Sequence, residues 1–153
     1  MGVQRLEDLS AFQLAVDFKL EVYRLIRDSP GARADWRFRA QLSDAASSVE
    51  SCITEGWHRY RAGAMIPFLV YSRASLAEAE RWLHDGVDRG YFNRGAIGGA
   101  LTVAGRCGAA LTNLRKSLEP FTKKGKRPQD PQDRRTPGPQ DFRTASIAVS
   151  ASG

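Results

Sequence analysis

The sequence predicts an all-α fold: an antiparallel up-down four-helix bundle over residues 1–121, followed by a disordered, basic, proline-rich tail over 122–153. Three observations carry this. Apolar residues recur at intervals of three and four along four long stretches, the spacing that lines one face of an α-helix. Gly, Pro and Asn punctuate the chain between those stretches, at links of about eight, seven and six residues, short enough to make successive helices antiparallel neighbours. No stretch alternates polar and apolar residues as a strand would.

The first helix is expected over residues 8–28, with Leu9, Phe12, Val16, Leu20, Tyr23 and Ile26 along its stripe and Ala15, Phe18, Val22 and Leu25 widening it. Ser29, Pro30 and Gly31 stop it. The second, over 37–57, places Phe38, Leu42, Ala45, Val49, Cys52, Ile53 and Gly56 on one face, and Gly56 and Gly63 bracket its end. The third begins near 64–67, with Pro67 tolerated in a first turn where its missing N–H is no loss. It continues to 88 with Phe68, Leu69, Ser72, Leu76, Ala79 and Leu83 inward, and Gly86 and Gly90 loosening its end. The fourth opens after Asn93, a good N-cap, and runs through Ile97, Leu101, Ala104, Gly108, Leu111, Leu114 and Leu118 to stop before Pro120. Gly95, Gly98, Gly99, Gly105 and Gly108 cost it helix propensity, which points to close packing against another helix or another subunit. Beyond Pro120, four more prolines, scattered charge and few large apolar side chains cannot offset the entropy of ordering.

A chain of 153 residues can bury a core without disulfides or metal. Cys52 and Cys107 lie far apart among apolar neighbours and read as reduced core residues. The start of the chain carries Arg5, Glu7 and Asp8 rather than an apolar signal segment, and no run reaches membrane-spanning length, so the expectation is a cytoplasmic protein that does not enter membranes. Net charge is +6 and pI about 9.7, which favours polyanionic partners. The tail holds Lys123, Lys124, Lys126, Arg127, Arg134, Arg135 and Arg143 against Asp130, Asp133 and Asp141, so most of the excess lies there.

Two local patterns resemble chemistry. Polar residues crowd positions 47–57 and 73–78, and antiparallel packing of the second and third helices could bring Cys52, Glu55, Arg73, Ser75 and Glu78 together. An interhelical hydrogen-bond network that fixes register is the expectation, ahead of a functional surface or a catalytic carboxylate pair, because no nucleophile, base or phosphate cradle accompanies them. Glu55 and His58 match the Glu-x-x-His spacing of di-iron bundles, yet the other histidine, His84, has Arg81 where a second glutamate should stand. No metal site and no cofactor is expected. The second pattern is Trp57, His58, Arg59, Tyr60 and Arg61. Aromatic and cationic side chains interleaved in this way can hold single-stranded nucleic acid, or simply close a helix terminus. Trp57, Arg59, Tyr60 and Arg61, with Arg37 and the tail residues Lys123, Lys124, Lys126 and Arg127, form the candidate nucleic-acid-binding set. The aromatic rings of Trp57, Tyr60 and Trp82, read as exposed, predict self-association.

The string SSVESCITEGWHRY, followed by FLVYSRASLAEAE and GYF, resembles the four-helix bundle family named after the 23S rRNA intervening sequences. LEDLSAFQLAVDFKLEVYRLI is similar to that family's first helix and RAQLSDAASSV to its second, so the resemblance covers residues 6–119 in order. Cys52 departs from the usual asparagine and Ala74 from the frequent glycine. The resemblance implies a non-enzymatic homo-oligomer, with a pentamer as the expected size. Relatives include the accessory protein of diversity-generating retroelements, so RNA, DNA or a nucleic-acid enzyme such as a reverse transcriptase are the partners it suggests. A bundle that binds only protein is the alternative.

Overall fold

The computed structural model describes residues 3–122, all helix and linker with no strand among them. The predicted tail, with Lys123, Lys124, Lys126 and Arg127, lies outside the described residues from position 123 onward. A single 3-10 turn, Leu6–Asp8, precedes α1 (Ser10–Asp28), α2 (Pro30–Ala34), α3 (Trp36–Trp57), α4 (Ala62–Asp88) and α5 (Arg94–Thr122). The four long helices form an up-down bundle. α1 and α4 each pack on both α3 and α5, and the α3–α4 seam is the most extensive.

Polar side chains start three of the helices. Ser29 Oγ accepts from the Ala32 N–H (3.2 Å), Asp35 Oδ1 from the Phe38 N–H (3.0 Å) and Asn93 Oδ1 from the Ala96 N–H (2.7 Å). Each satisfies a donor that a helix N-terminus otherwise leaves unpaired. The expected stop at Ser29, Pro30 and Gly31 is thus also a start: Pro30 fits the first position of α2, where no N–H is required. Two prolines behave differently from expectation. α4 begins at Ala62, which moves Pro67 into the second turn, and Pro120 lies inside α5, which runs on to Thr122. Each forgoes one backbone bond without ending its helix.

The predicted stripes of α3, α4 and α5 are the buried ones, from Phe38 to Gly56, Leu69 to Leu83 and Ile97 to Leu118, with Cys52, Phe68 and Leu101 only partly covered. α1 corrects the sequence reading. Its buried face is Ala11, Ala15, Phe18, Val22, Leu25 and Ile26, whereas Leu20 and Tyr23 are 55% and 40% exposed. Apolar residues on this helix cover more of its circumference than the core can accept, so two stripes with the same spacing compete and periodicity alone cannot rank them.

Glycine divides into two uses. A Cβ at Gly56 would stand 2.8 Å from Phe68 Cβ, and one at Gly86 2.5 Å from Phe92 Cδ2 and 2.8 Å from Phe38 Cζ. Gly86 therefore makes room for two aromatic rings inside α4 and does not loosen its end. In α5 the expectation of close packing holds at Gly108, where the Arg73 guanidinium carbon lies 3.2 Å from the Cβ position. Gly98 and Gly105 meet nothing within 4 Å, and Gly95 and Gly99 meet only side-chain oxygens at 3.4 and 3.9 Å. Among the described residues, nothing approaches them closely.

Candidate nucleic-acid interface

Topology places the candidate residues at opposite ends of the bundle. The linkers 29–35 and 89–93 share one end of the bundle, tied by Ser29 Oγ donating to the Tyr91 carbonyl (2.8 Å). The linker 58–61 occupies the other, near the end of α5, where Thr122 Cγ2 lies 3.5 Å from the Gly63 Cβ position. Arg37 opens α3 and Trp57 closes it. Twenty residues of helix put roughly 30 Å between them, so Arg37 does not join Trp57, Arg59, Tyr60 and Arg61.

At the single-linker end the candidate residues are largely engaged with one another and with the fold. Arg59 Nη2 donates to Glu55 Oε1 (2.7 Å), and its guanidinium carbon lies 5.1 Å from the Phe68 ring centre. Trp57 is partly buried against the core. Tyr60 is exposed and adopts a left-handed backbone, φ 54°, a conformation that non-glycine residues rarely take and that turns the chain from α3 into α4. Arg61 is exposed. His58 Nδ1 is 2.8 Å from the Thr54 carbonyl, and no group of three or more His, Cys, Asp or Glu gathers at metal-binding range among the described residues.

The expected polar network is also rearranged. Glu55 and Glu78 are exposed, Glu55 paired with Arg59, and the guanidinium of exposed Arg73 lies against Gly108 of α5. What α3 and α4 share instead is Ser48 Oγ at 3.0 Å from Ser75 Oγ and buried Ser72 donating to the Val49 carbonyl (2.7 Å), with Cys52 Sγ of α3 at 3.7 Å from the same Ser48 Oγ. Short hydroxyls fit a tight seam. Long carboxylates at the same spacing escape to water, which costs less than burying their charge.

Among the described residues, charge distinguishes the two ends. Linkers and helix residues within two turns of the two-linker end carry Arg24, Arg27, Arg33, Arg37, Arg39, Arg81, Arg89 and Arg94 against Glu21, Asp28, Asp35, Asp85 and Asp88. The corresponding part of the opposite end carries Arg5, Arg59, Arg61, Arg115 and Lys116 against Glu7, Asp8, Asp17, Glu50, Glu55 and Glu119. Arg33, Arg37, Arg39, Arg81 and Arg94 have no carboxylate within ion-pairing distance among the described residues.

Beside these arginines is a groove of about 610 Å³, walled by the first turns of α3 and the end of α4. Trp36, 64% exposed, and Trp82 line it together with Arg37, Phe38, Ala40, Gln41, Asp35 and Arg89. Its frame is held firmly. Asp35 Oδ2 accepts from the Tyr91 hydroxyl (2.9 Å) and lies 3.4 Å from Arg89 Nη1, while Arg89 Nε donates to Asp85 (2.6 Å). The Phe38 N–H bond, the Tyr91 hydroxyl and the nearby Arg89 hold the Asp35 carboxyl below the usual carboxylate range. Phe38 meets Trp82 and Tyr91 edge-on at 5.9 and 5.1 Å. The Trp82 indole nitrogen is buried and is the one such side-chain donor without a partner among the described residues. Sequence reading missed Trp36 and Trp82 as a pair. The signal was available: in antiparallel helices the start of α3 must face the end of α4.

No helix among the described residues is long and apolar enough to cross a membrane. Neither the curated proteins nor the solved structures contain a significant match to the chain. A family profile described as 23S rRNA-intervening sequence protein matches residues 7–112, from the turn before α1 into the second half of α5. That span is more than two thirds of the chain, takes in every linker and both walls of the groove, and the chain belongs to the 23S rRNA-intervening sequence protein family.

Proposed function

We propose that this protein is a non-enzymatic, homo-oligomeric bundle that binds RNA or DNA through its two-linker end. One observation carries the reading: five arginines at that end lack a carboxylate partner among the described residues, beside an exposed tryptophan. Unpaired guanidiniums contact phosphates and release counterions, which is the main source of affinity for nucleic acid. The family's name, taken from an RNA element, agrees with this. Glu55 and Glu78, the carboxylates considered for acid/base work, are exposed and have not been gathered into a site, which favours binding over catalysis.

Self-association rests on different surfaces from those the sequence suggested. Trp57 and Trp82 are partly buried and Tyr60 alone of that trio is exposed; besides Trp36 and Phe121, the large apolar residues left to solvent among the described residues are Leu20 and Tyr23 on α1 and Val70 and Tyr71 on α4. A groove of about 510 Å³ between α4 and α5, lined by Leu69, Val70, Ala74, Ala77, Leu111 and Thr112 together with Arg73 and Arg115, has room for apolar side chains. Docking α1 of one copy into that groove of the next joins two different surfaces, and such a contact closes into a ring when its rotation allows. A pentamer is the size implied by the family resemblance.

Light scattering and fluorescence anisotropy test both parts. The expected mass is a multiple of 16.9 kDa, reduced by Leu20→Glu. Short single-stranded RNA and DNA are expected to bind at about 50 mM salt, and Arg33→Ala with Arg37→Ala to weaken binding and flatten its salt dependence more than Arg59→Ala with Arg61→Ala does. A full-length protein that binds no single-stranded, duplex or structured nucleic acid under those conditions refutes direct binding and leaves a protein partner, such as a reverse transcriptase, as the reading.

A further inference from the structure

We propose that the groove between Trp36 and Trp82 takes one unstacked base of a single-stranded nucleic acid, its adjoining phosphates lying on Arg37 and Arg81. This inference rests on the nucleic-acid reading above and adds where and in what form the strand is held. Two flat indoles line the groove or its wall, one of them mostly exposed, and a guanidinium carbon lies over each: Arg37 at 5.4 Å from the Trp36 ring centre and Arg81 at 4.4 Å from that of Trp82. Stacking surface and phosphate-binding charge are therefore adjacent, the combination that holds single strands without regard to sequence. A base inside a duplex cannot reach such a surface.

The intervening side chains fit the same occupant. Ala40, one turn after Trp36 on the same face of α3, leaves space where a larger residue would fill the groove. Gln41, one turn after Arg37, offers an amide that can donate to and accept from a base edge. The volume of about 610 Å³ falls within the range of roughly 300–1,000 Å³ usual for small-ligand sites. Asp35 is the one carboxylate on the lining, and it does not repel an anion freely: both its oxygens already accept hydrogen bonds and Arg89 lies beside it. The ring contacts of Phe38 and the Asp35, Tyr91 and Arg89 clasp hold the walls in place before any ligand arrives, which lowers the ordering cost of binding.

The test uses the full chain carrying Trp57→Phe, so that indole fluorescence reports only Trp36 and Trp82. Titration with a ten-nucleotide oligo(A), its oligo(dA) counterpart and adenosine monophosphate at about 50 mM salt is expected to give saturable quenching by both strands. The mononucleotide should bind at least a hundredfold more weakly. Trp36→Ala should weaken strand binding about 5- to 150-fold, the value of one lost base stack. Ala40→Leu, which alters no charge and keeps a good helix former, should do the same while the salt dependence stays as in the parent. Both variants should melt close to the parent, Trp36 being mostly exposed. Strand binding seen by anisotropy without quenching, or unchanged by both variants, overturns the groove and leaves nucleic-acid binding standing. No binding of any strand by anisotropy removes both. Equal affinity for the mononucleotide makes a free nucleotide the ligand and overturns the strand reading.

Discussion

Gly86→Ala is the substitution whose sign the structure decides most sharply. In an exposed helix interior the change gains roughly 1 kcal/mol from propensity. Here the added methyl lands 2.5 and 2.6 Å from two ring carbons of Phe92 and 2.8 Å from the tip of Phe38. Neither ring can swing away cheaply. Phe38 is 1% and Phe92 7% exposed, and Phe38 is locked by edge contacts with Trp82 and Tyr91 and a tilted one with Phe92 at 5.8 Å. Overpacking costs about 1–3 kcal/mol, and contacts under 3.0 Å with two buried rings put it in the upper half of that range, about 2–3 kcal/mol, so after the propensity gain a net loss of about 1–2 kcal/mol is expected. Gly98→Ala is the internal control. It has the same chemistry in α5 with nothing within 4 Å, and should gain about 0.5–1 kcal/mol. Urea unfolding followed by helical circular dichroism, with both slopes compared, measures the pair. A Gly86→Ala protein as stable as its parent would show that the aromatic cluster yields, and would refute the claim that the groove walls are rigid.

Replacing Glu55 or Glu78 by Ala should change stability by less than about 0.5 kcal/mol, because both are exposed. Ser72→Ala, which removes a fully buried donor to the Val49 carbonyl, should cost about 0.5–1.5 kcal/mol by the same melts. Burial pushes the Cys107 thiol up to about 12, so a thiol reagent at neutral pH should label Cys107 only as the protein unfolds, with Cys52, partly covered, reacting first. Mass mapping of the labelled sites checks the order. The depressed Asp35 carboxyl contributes stability that is present above its unfolded value of about 3.9 and is lost as pH falls through its lower folded value. Asp35→Asn should therefore flatten the acid limb of the stability curve.

The four long helices were legible because their stripes repeat over five or more turns and their caps are chemically explicit, as at Asn93. Less was legible wherever one-dimensional spacing leaves direction open. On α1 two apolar stripes have equal spacing, and only packing shows that Phe18 goes in and Leu20 stays out. α2 is invisible to periodicity because five residues are too few to show a period, although Ser29 and Pro30 form its cap and first position. Of the polar residues expected at the seam of α3 and α4, Ser75 and Cys52 meet Ser48 there and inward Ser72 bonds across it, whereas Glu55, Arg73 and Glu78 are too long to fit between the backbones and are exposed. The aromatic and cationic run at 57–61 was conspicuous because it is contiguous. The groove at Trp36 was not, because its parts lie on two helices forty-six positions apart and meet only through topology.

Two arginines of the two-linker end, Arg37 and Arg94, also lie where the fold gains little from them. A helix N-terminus carries a partial positive charge, so a cation in the first turn is unfavourable by about 0.3–1 kcal/mol. Arg37 is the second residue of α3 and Arg94 the first of α5, and neither first turn holds an acidic residue. The contact of Arg37 with Trp36 offsets part of this cost; Arg94 has no carboxylate partner among the described residues. Charge placed against the helix dipole is hard to explain by stability and easy to explain by a ligand that is itself negative. Replacing Arg37 and Arg94 together by Glu should therefore raise the unfolding free energy, by about 0.5–1 kcal/mol in all, while weakening strand binding by more than tenfold as two phosphate contacts turn repulsive. Stability and affinity moving in opposite directions is the signature of a binding site. If the double variant is less stable than its parent and binds unchanged, these arginines hold the bundle together, and the nucleic-acid interface is not at this end.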